Sequence, residues 1–342
     1  MANKQWVLKT FSGFDALESR EQPIPSPDEY SCLVRHHAAS LNYRDLIIAK
    51  GTYPLNARPG IVPASDGAGE IVSVGSMVTK WKKGDRVCGL FNQLHHFGEL
   101  NRESAQSGLG GGQDGVLQQF RVYHELSLVK MPDYMSYEQA ATLPCAALTA
   151  YNALYGLAGR PLNAGDWVLT QGTGGVSIWG VAIAKAAGAR VVATTSSADK
   201  TEVLKKLGAD VVLNYKTNPN WGKEAKRATG GRGVDYIIEV GGPGTMKQSL
   251  DAITIGGIIC VIGFVGTPTG DEPTASSILR NMCMLRSVLV GSRVLFEQMN
   301  RALEVWKVQP VIDTVFAFDK VREAYEYQWQ QKHIGKVVLD IP

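Results

Sequence analysis

The amino-acid sequence predicts an α/β protein that combines a small strand-rich part with a doubly wound parallel sheet. Its 342 residues suit two domains, because one domain usually holds about 100–200 residues. Strands and turns are predicted for about the first 130 residues, where short β-branched stretches are broken by Gly and Asp, and from about residue 136 apolar strand-like runs alternate with helical patterns. Such alternation is typical of parallel sheets that are covered by helices on both faces.

Composition and charge exclude several classes of protein. Hydrophobic residues make up 44% of the chain, and the formal net charge is only +3, which indicates a globular core and argues against a nucleic-acid or membrane partner. The five scattered cysteines include no C-x-x-C pair, so neither a disulfide framework nor a four-thiolate zinc lobe is expected. The sequence starts without an apolar signal core and has no run of about 18 apolar residues. We therefore expect a cytoplasmic protein.

The N-terminal part is predicted to form a small, strongly bent antiparallel barrel. This expectation comes from the glycine-broken, β-branched pattern of Asp66–Gly75 and Gly84–Gly89. Residues 91–118 differ, since they are polar and glycine-rich with hardly any apolar periodicity. They predict a long surface loop, and loops of that length are usually lids or binding elements.

The second part is predicted to alternate between helices and strands. Ser136 is placed as the N-cap of a helix and Gly208 as the glycine that ends another. Strands this apolar are buried on both faces, as in a parallel sheet. The predicted strands are Trp167–Gln171, Arg190–Thr195, Val211–Leu213, Val234–Val240, Gly257–Gly263 and Ser287–Val290, and the last 45 residues add helices at Phe296–Val305 and Val321–Gln330 and a strand at Lys336–Ile341.

The glycine turn after the first of these strands is the most informative segment. Glycines allow a sharp turn and a close approach of backbone amides to a pyrophosphate, and the following helix N-terminus adds donors and a positive dipole end. The third glycine of the G-x-G-x-x-G pattern is replaced by Ser177, and a tight turn without a ligand is the alternative. The strand–turn–helix setting favours dinucleotide binding by Gly172, Thr173, Gly174, Gly175 and Val176.

The end of the second strand favours NADP(H) over NAD(H). A carboxylate is expected there in enzymes that bind a ribose 2′-hydroxyl, but the chain has Thr195, Ser196 and Ser197, with Lys200 one turn later. Hydroxyls and an ammonium suit a 2′-phosphate. Alternatively, the serines cap a helix and Lys200 is solvated. Asp199 argues against the NADP(H) interpretation.

The chain resembles the medium-chain dehydrogenase/reductase superfamily over essentially its whole length. The matching stretches are Asn42–Asp45, Gly51–Pro54, Asp66–Gly75, Gly84–Val87, Ala140–Pro144, Gly172–Val176 and Gly335–Val338. The resemblance implies a GroES-like β-barrel catalytic domain over residues 1–130, a Rossmann domain over 131–293 and a C-terminal return over 294–342 that completes the catalytic domain. It also implies a homodimer formed through the edge strand at Ser287–Val290, and an active site between the domains that residues 91–118 gate.

The resemblance places this chain in the zinc-free, quinone-oxidoreductase-like branch of the superfamily. The relatives that use catalytic zinc hold it with Cys, a His-Glu pair and a second Cys; the corresponding residues here are Asn42, Ser65-Asp66 and Cys145. One thiol with an amide and a hydroxyl does not make a zinc site, so we expect no metal. His95-His96 with Glu99 is an alternative metal site, although adjacent histidines are more often exposed loop residues.

Without zinc, hydride from NADPH suits an electron-poor acceptor such as an enone, a quinone or a related small carbonyl compound. The candidate catalytic residues are Tyr53 and Asn42, as hydrogen-bond donors, and Asp45, as a carboxylate that orients its neighbours. Alternatively, Tyr53 is an aromatic residue packed in a turn and Asp45 only forms a turn. The resemblance further assigns to the cofactor Tyr215, Gly241, Gly263, Phe264, Gly291, Ser292 and Lys336. The rival functions are a metal-free alcohol dehydrogenase that oxidises a secondary alcohol, and a catalytically silent NADPH-binding protein.

Overall fold

The chain forms two compact units, described from a computed structural model that defines residues 2–54, 57–263 and 274–342. Unit 1 comprises Met1–Leu148 together with Val290–Pro342, and unit 2 comprises Thr149–Leu289. The first boundary therefore falls 18 residues beyond the predicted position at 130/131. The added segment belongs to unit 1 because it is bonded to strands there: the Cys88 thiol donates to Ala140 O, and Cys145 N donates to an Asp66 carboxylate oxygen.

The elements follow in chain order. The strands are β1 Ala2–Leu8, β2 Leu17–Pro23, β3 Ser31–Ser40, β4 Asp66–Val74, β5 Arg86–Gly89, β6 Phe120–His124, β7 Leu128–Lys130, β8 Trp167–Gln171, β9 Arg190–Thr195, β10 Val211–Asn214, β11 Val234–Glu239, β12 Ile253–Val261, β13 Met284–Ser287, β14 Ile312–Ala317 and β15 Lys336–Asp340. The α-helices are α1 Tyr43–Ala49, α2 Arg102–Gln106, α3 Tyr137–Ala140, α4 Leu148–Tyr155, α5 Gly175–Ala186, α6 Ala198–Lys206, α7 Trp221–Ala228, α8 Pro243–Ala252, α9 Ala275–Asn281, α10 Arg293–Trp306 and α11 Val321–Trp329. Across the described ranges, no helix is both long and apolar enough to span a bilayer.

Unit 1 is built on a seven-stranded sheet. Its strand order is β14-β15-β3-β4-β5-β7, with β6 paired to β3 beside this path, and every pair is antiparallel except β14 with β15. The β3–β4 register shifts twice, at Leu33/Val34 and at His36/Ala38. Because bulges bend and twist a sheet, these shifts let it curve around the core. The predicted bent antiparallel architecture is confirmed.

Unit 2 is built on a six-stranded parallel sheet with the order β10-β9-β8-β11-β12-β13. Every strand pair is parallel, as the uniformly apolar runs predict. The last predicted strand is misplaced by three residues: the edge strand is Met284–Ser287, not Ser287–Val290. Val288 and Leu289 lie beyond the last residue that pairs with β12, and a short apolar run does not show where pairing stops.

Residues 91–118 are only partly the surface loop that the sequence predicts. Phe91, Asn92 and Leu109 are buried, and α2 lies within the segment. Backbone amides of α10 donate to His95 O and His96 O, over 2.9 and 3.1 Å. The segment is therefore anchored within unit 1 by main-chain bonds, which a polar composition does not reveal.

His36 lies in the middle of β3 and is buried as a neutral imidazole. Its Nδ1 is 2.8 Å from Gln118 O and its Nε2 is 2.8 Å from the Tyr123 hydroxyl. Burial lowers the pKa of His36 from 6.5 to about 4, because desolvation disfavours the charged form.

We predict that His36 destabilises the fold in acid. Between pH 6.5 and about 4, His36 is protonated in the unfolded chain but stays neutral in the folded chain. The free energy of unfolding therefore falls as the pH falls, and His36 contributes about 3 kcal/mol to this loss. His36→Gln retains polar partners but does not titrate. Urea unfolding at pH 7 and at about pH 4.5 measures the effect, and an equal loss of stability in both proteins would contradict it.

Candidate functional site

The turn after β8 in unit 2 has the backbone geometry that a dinucleotide requires. Gly172 has φ of 72°, a left-handed conformation that favours glycine, and its amide donates to Thr194 O over 2.9 Å. No atom lies within 4 Å of a Cβ built at Gly172 or Gly174. The space beside the turn is therefore open to a ligand.

Within the described ranges, the first-turn amides of α5 have no side-chain acceptor and can donate to an anion. The N-cap is Gly174, which has no side chain to bond the first-turn amides, so the amides of Gly175 and Val176 remain available together with the positive helix end. The pyrophosphate of NAD(P) fits this arrangement. Thr173 lies within the turn and is buried.

Ser177 and Gly180 together replace the missing third glycine, which would hold the helix close to the strand. The Ser177 hydroxyl donates to Gln171 O over 2.6 Å and fixes the helix to the end of β8. Close helix–strand packing falls to Gly180, where a Cβ would lie 2.4 Å from Ile238 Cδ1. The sequence pattern missed this assignment because it searches only the turn itself.

The structure groups most of the predicted adenosine-end residues at the end of β9. Thr195 is buried, its hydroxyl accepts from Ser197 N over 3.3 Å, and its carbonyl accepts from Tyr215 N over 3.0 Å. Ser197 is the N-cap of α6 but its side chain makes no cap hydrogen bond, so its hydroxyl is not used for capping. Ser196 lies between them, Lys200 lies on the first turn of α6, and Tyr215 is 41% exposed.

A buried carboxylate that the sequence analysis missed joins the ends of β8 and β11. Glu239 accepts hydrogen bonds from Gln171 Nε2, Gly241 N and Gly242 N over 2.6 to 2.9 Å, and from the Thr245 and Ser249 hydroxyls. Gln171 Oε1 also accepts from Gly241 N. The Gly241 amide is thus already bonded within the protein. The sequence contained a signal for this site, because Glu239 is an acidic residue at the end of a largely apolar strand.

The remaining predicted nicotinamide-side residues lie on close-packed backbone. A Cβ at Gly263 would be 2.3 Å from Val240 O, and one at Gly291 would be 2.9 Å from Leu148 Cγ. Ser292 is the N-cap of α10 and accepts from Leu295 N over 3.3 Å. Phe264 lies outside the described residues.

In unit 1, three chain segments converge at the ends of β3, β4 and β15. Asn42 precedes α1, and its amide nitrogen Nδ2 is 3.3 Å from Ser65 Oγ. The Ser65 hydroxyl in turn donates to Asp66 Oδ1 over 2.6 Å. On the other side, Lys336 Nζ donates to Asn42 Oδ1 over 2.6 Å. Asn42 therefore lies at the centre of a continuous hydrogen-bonded group.

The two buried carboxyl groups of this cluster, Asp45 and Asp66, have different hydrogen-bond partners. Asp45 Oδ2 accepts from Asn42 N over 2.8 Å, which fixes the start of α1 and orients Asn42. Burial raises the pKa of Asp45 to about 6, and its other oxygen has no partner among the described residues. Asp66 is bonded to Ser65 and to Cys145 N; burial raises its pKa, and the Lys336 charge opposes that rise.

The residues at the zinc-ligand positions do not fit a zinc ion. Asn42 Oδ1 is bonded to an ammonium, both oxygens of Asp66 accept hydrogen bonds, and burial raises the pKa of the Cys145 thiol. With the amide and the hydroxyl engaged in this way, a single thiol remains, and one thiol alone does not make a zinc site. His95 Nε2 and His96 Nε2 each lie 3.0 Å from a backbone oxygen, and His95 is buried rather than exposed. Within the described ranges, no three His, Cys, Asp or Glu side chains are grouped to hold a metal.

Tyr53 is half-buried, and the side chain of Arg44 packs against it. The Arg44 guanidinium carbon is 5.0 Å from the centre of the Tyr53 ring and 4.8 Å from that of Phe91. Arg44 Nη1 also donates to Leu109 O over 2.7 Å. Both of the interpretations offered for Tyr53, a packed aromatic and a hydroxyl donor, are compatible with this position.

Comparisons with known proteins agree with both units. The alcohol dehydrogenase GroES-like domain matches residues 28–133, and the zinc-binding dehydrogenase family matches residues 175–306. A zinc-type alcohol dehydrogenase-like protein of Schizosaccharomyces pombe is 44% identical, with 100% of both chains covered. Acryloyl-coenzyme A reductase of Metallosphaera sedula is 30% identical over 94% of this chain and 96% of its own length. The crystal structure of an NAD-dependent alcohol dehydrogenase superposes with a TM-score of 0.88 at 30% identity, covering 99% of this chain and 100% of the other.

We predict that Gly174→Asp weakens dinucleotide binding without harming the fold. Aspartate is a favoured N-cap and its side chain meets open space, so the melting temperature should stay the same or rise. Its charge would repel the pyrophosphate and weaken NADPH binding by roughly 100-fold. Gly174→Asn is the matched control for size. Fluorescence titration with NADPH measures the affinity, and unchanged binding in both variants would place the cofactor elsewhere.

Proposed function

The chain belongs to the medium-chain dehydrogenase/reductase superfamily and is an NAD(P)H-dependent oxidoreductase, and from this premise we propose that it is a zinc-independent reductase that uses NADPH to reduce an enone, a quinone or a related small carbonyl compound. One observation carries the proposal. An open dinucleotide turn in unit 2 is combined with a unit 1 donor set in which Asn42 is bonded to an ammonium and to a hydroxyl.

The acceptor class follows from what such a donor set can stabilise. The turn after β8 and the start of α5 would hold NADPH, which would supply a hydride for the β-carbon of the enone. The electron pair of the C=C bond moves toward the carbonyl oxygen, and the α-carbon then takes a proton from water or a hydroxyl. Hydrogen bonds can stabilise the resulting delocalised enolate, whereas a localised alkoxide is the charge that zinc stabilises in related enzymes.

Tyr53 and Asn42 are the proposed hydrogen-bond donors to the carbonyl oxygen. Asn42 presents Nδ2 because its oxygen is bonded to Lys336. The stacking of Arg44 restricts the Tyr53 ring, which lowers the entropy cost of presenting its hydroxyl. Asp45 orients Asn42 through the backbone.

Residues at the end of β9 support the preference for NADPH. Thr195 is followed by two serines, and neither the strand end nor the N-cap of α6 contributes a carboxylate. A ribose 2′-phosphate would meet hydroxyls and the nearby Lys200. The similar NAD-dependent alcohol dehydrogenase makes NADH the alternative cofactor.

A metal-free alcohol dehydrogenase is the second candidate, because two of the similar proteins carry alcohol dehydrogenase names. Product analysis separates the two functions. Reduction of a C=C bond yields a saturated ketone, while carbonyl reduction yields an unsaturated alcohol. A silent NADPH-binding protein would bind the cofactor and turn over neither type of substrate.

We predict that the protein oxidises NADPH with 2-cyclohexen-1-one or 1,4-benzoquinone as the acceptor, and that kcat/KM with NADPH exceeds the value with NADH by about 10-fold or more. Tyr53→Phe removes a donor to the developing oxyanion and should lower kcat by at least about 10-fold. The exposed Tyr30 gives a control, Tyr30→Phe.

Absorbance at the nicotinamide band and mass analysis of the product provide the measurements. Activity that appears only after zinc is added would refute zinc independence. Cofactor binding without turnover of any acceptor, and without an effect of Tyr53→Phe, would favour the silent protein.

The homodimer is proposed to form through the edge of the unit 2 sheet. Among the described residues, β13 pairs with a strand on one side only, with β12, and an unpaired strand edge can pair with another chain. Large apolar side chains are exposed on or beside β12 and β13: Ile255, Leu279, Met282, Met284 and Leu289. A second copy related by a twofold axis would cover the same patch on both chains.

We predict a particle of about twice the chain mass of 37.0 kDa in light scattering or sedimentation equilibrium. Met284→Lys places a charge on the edge strand and should shift the protein toward monomer. Val305→Lys is the matched control, because Val305 is an exposed apolar residue of α10 in unit 1. A monomeric wild type would rule out the dimer.

A further inference from the structure

Lys336 is a cation placed where solvent hardly reaches. It is the first residue of β15 and is only 3% exposed. Its ammonium donates to Leu41 O and to Asn42 Oδ1, each over 2.6 Å. A lysine ammonium has three donors, and these two bonds fix its position against Asn42.

The strand register explains why Lys336 meets Asn42. β15 pairs antiparallel with β3, with Val338 opposite Ser40. Continuing that register by two residues places Lys336 opposite Asn42. β3 also pairs with β4, with Ser40 opposite Asp66, so one end of β3 brings the lysine, the asparagine and the Ser65-Asp66 pair together.

The hydrogen bonds of this group all run in one direction. Lys336 donates to Asn42, Asn42 Nδ2 donates to Ser65, and Ser65 donates to Asp66. The chain therefore leads from an ammonium to a carboxylate. Each link polarises the next, and such coupling strengthens hydrogen bonds in a buried site.

Within the described part of the chain, no carboxylate lies within 4.0 Å of the Lys336 ammonium. Asp45 and Asp66 interact with it only at longer range. Asp66 therefore faces the ammonium only across the neutral side chains of Asn42 and Ser65. In the zinc enzymes of the superfamily, the metal supplies the charge among the corresponding residues.

We propose that Lys336 replaces the catalytic metal electrostatically, as a positioning residue that acts through Asn42. It holds the carboxamide with Oδ1 turned toward the ammonium, so that Nδ2 points away from it and has one hydrogen for Ser65 and one for the substrate carbonyl. The inference rests on the proposed reductase function. It also differs from the assignment of Lys336 to the cofactor that the family resemblance suggests, and the two assignments can be separated.

Four variants test the proposal: Lys336→Met, Lys336→Arg, Asn42→Ala and the double variant Lys336→Met/Asn42→Ala. With saturating NADPH and 2-cyclohexen-1-one, Lys336→Met should lower kcat by roughly 100-fold, as loss of an oxyanion donor does, and Lys336→Arg should recover most of it. The Kd for NADPH should change by less than about 3-fold. Lys332→Met, four residues upstream and exposed, is the control.

The double variant identifies the route of the effect. If Lys336 acts through Asn42, removing the lysine from the Asn42→Ala background should add less than about 3-fold, because coupled residues are not additive. Independent, multiplying losses would overturn the proposal. A large rise in the Kd for NADPH with kcat unchanged would also overturn it and would assign Lys336 to the cofactor.

A second measurement does not depend on activity. In protein labelled with ¹⁵N-asparagine, the side-chain NH₂ signals of Asn42, assigned by their loss in Asn42→Asp, should shift and exchange faster in Lys336→Met but not in Lys336→Arg. If Lys336→Met does not fold, the rate of Asn42→Ala still tests the proposal, because a kcat equal to that of the wild type would show that Lys336 does not act through Asn42. Unperturbed Asn42 signals in a folded Lys336→Met would refute the positioning role. If the wild type reduces no acceptor, the reductase function fails, and the NMR result still reports on the Lys336–Asn42 contact.

Discussion

The exclusion of water from the end of β3 is the constraint on which the unit 1 site depends. An ionised group in such a place must be bonded by protein groups, because burial without partners costs several kcal/mol. Lys336 and Asp66 are each satisfied through the same short chain of neutral side chains. A slip of one residue in the β3–β15 register would turn Lys336 to the other face of the sheet. The strand pairing and the polar cluster therefore stabilise each other.

Unit 2 also buries a carboxyl group away from water, but surrounds it directly with hydrogen-bond donors. Glu239 is fully buried, and five neutral donors surround it, from Gln171 to Ser249. These bonds connect the loop after β11 to the end of β8, where the glycine turn begins. The turn can stay open toward a ligand because the hydrogen bonds of Glu239 and Gln171 hold the neighbouring backbone. In both units, a buried carboxyl group accepts hydrogen bonds that fix the backbone around it.

Much of the fold could be predicted from the sequence, because it depends on local patterns. The apolar runs predicted the parallel strands of unit 2, and Ser136 predicted a helix start that the structure confirms with a bond from Gln139 N. The position of the edge strand and the buried part of residues 91–118 depend on partners far away in sequence, such as Arg44 for Leu109. Asn42 and Lys336 were recognised separately, but their contact spans 294 residues and follows from strand register, which no single segment encodes.

The donor set also restricts the chemistry that the site can promote. A divalent metal interacts directly with an oxygen and stabilises a localised negative charge. An ammonium that acts through a carboxamide delivers less charge and delivers it along a defined direction, through an N–H bond. Such a donor suits a negative charge that spreads over several atoms, as in an enolate or a reduced quinone, better than a charge localised on an alkoxide. The replacement of zinc ligands in this chain and the proposed conjugated acceptor are thus two consequences of the same electrostatic limit.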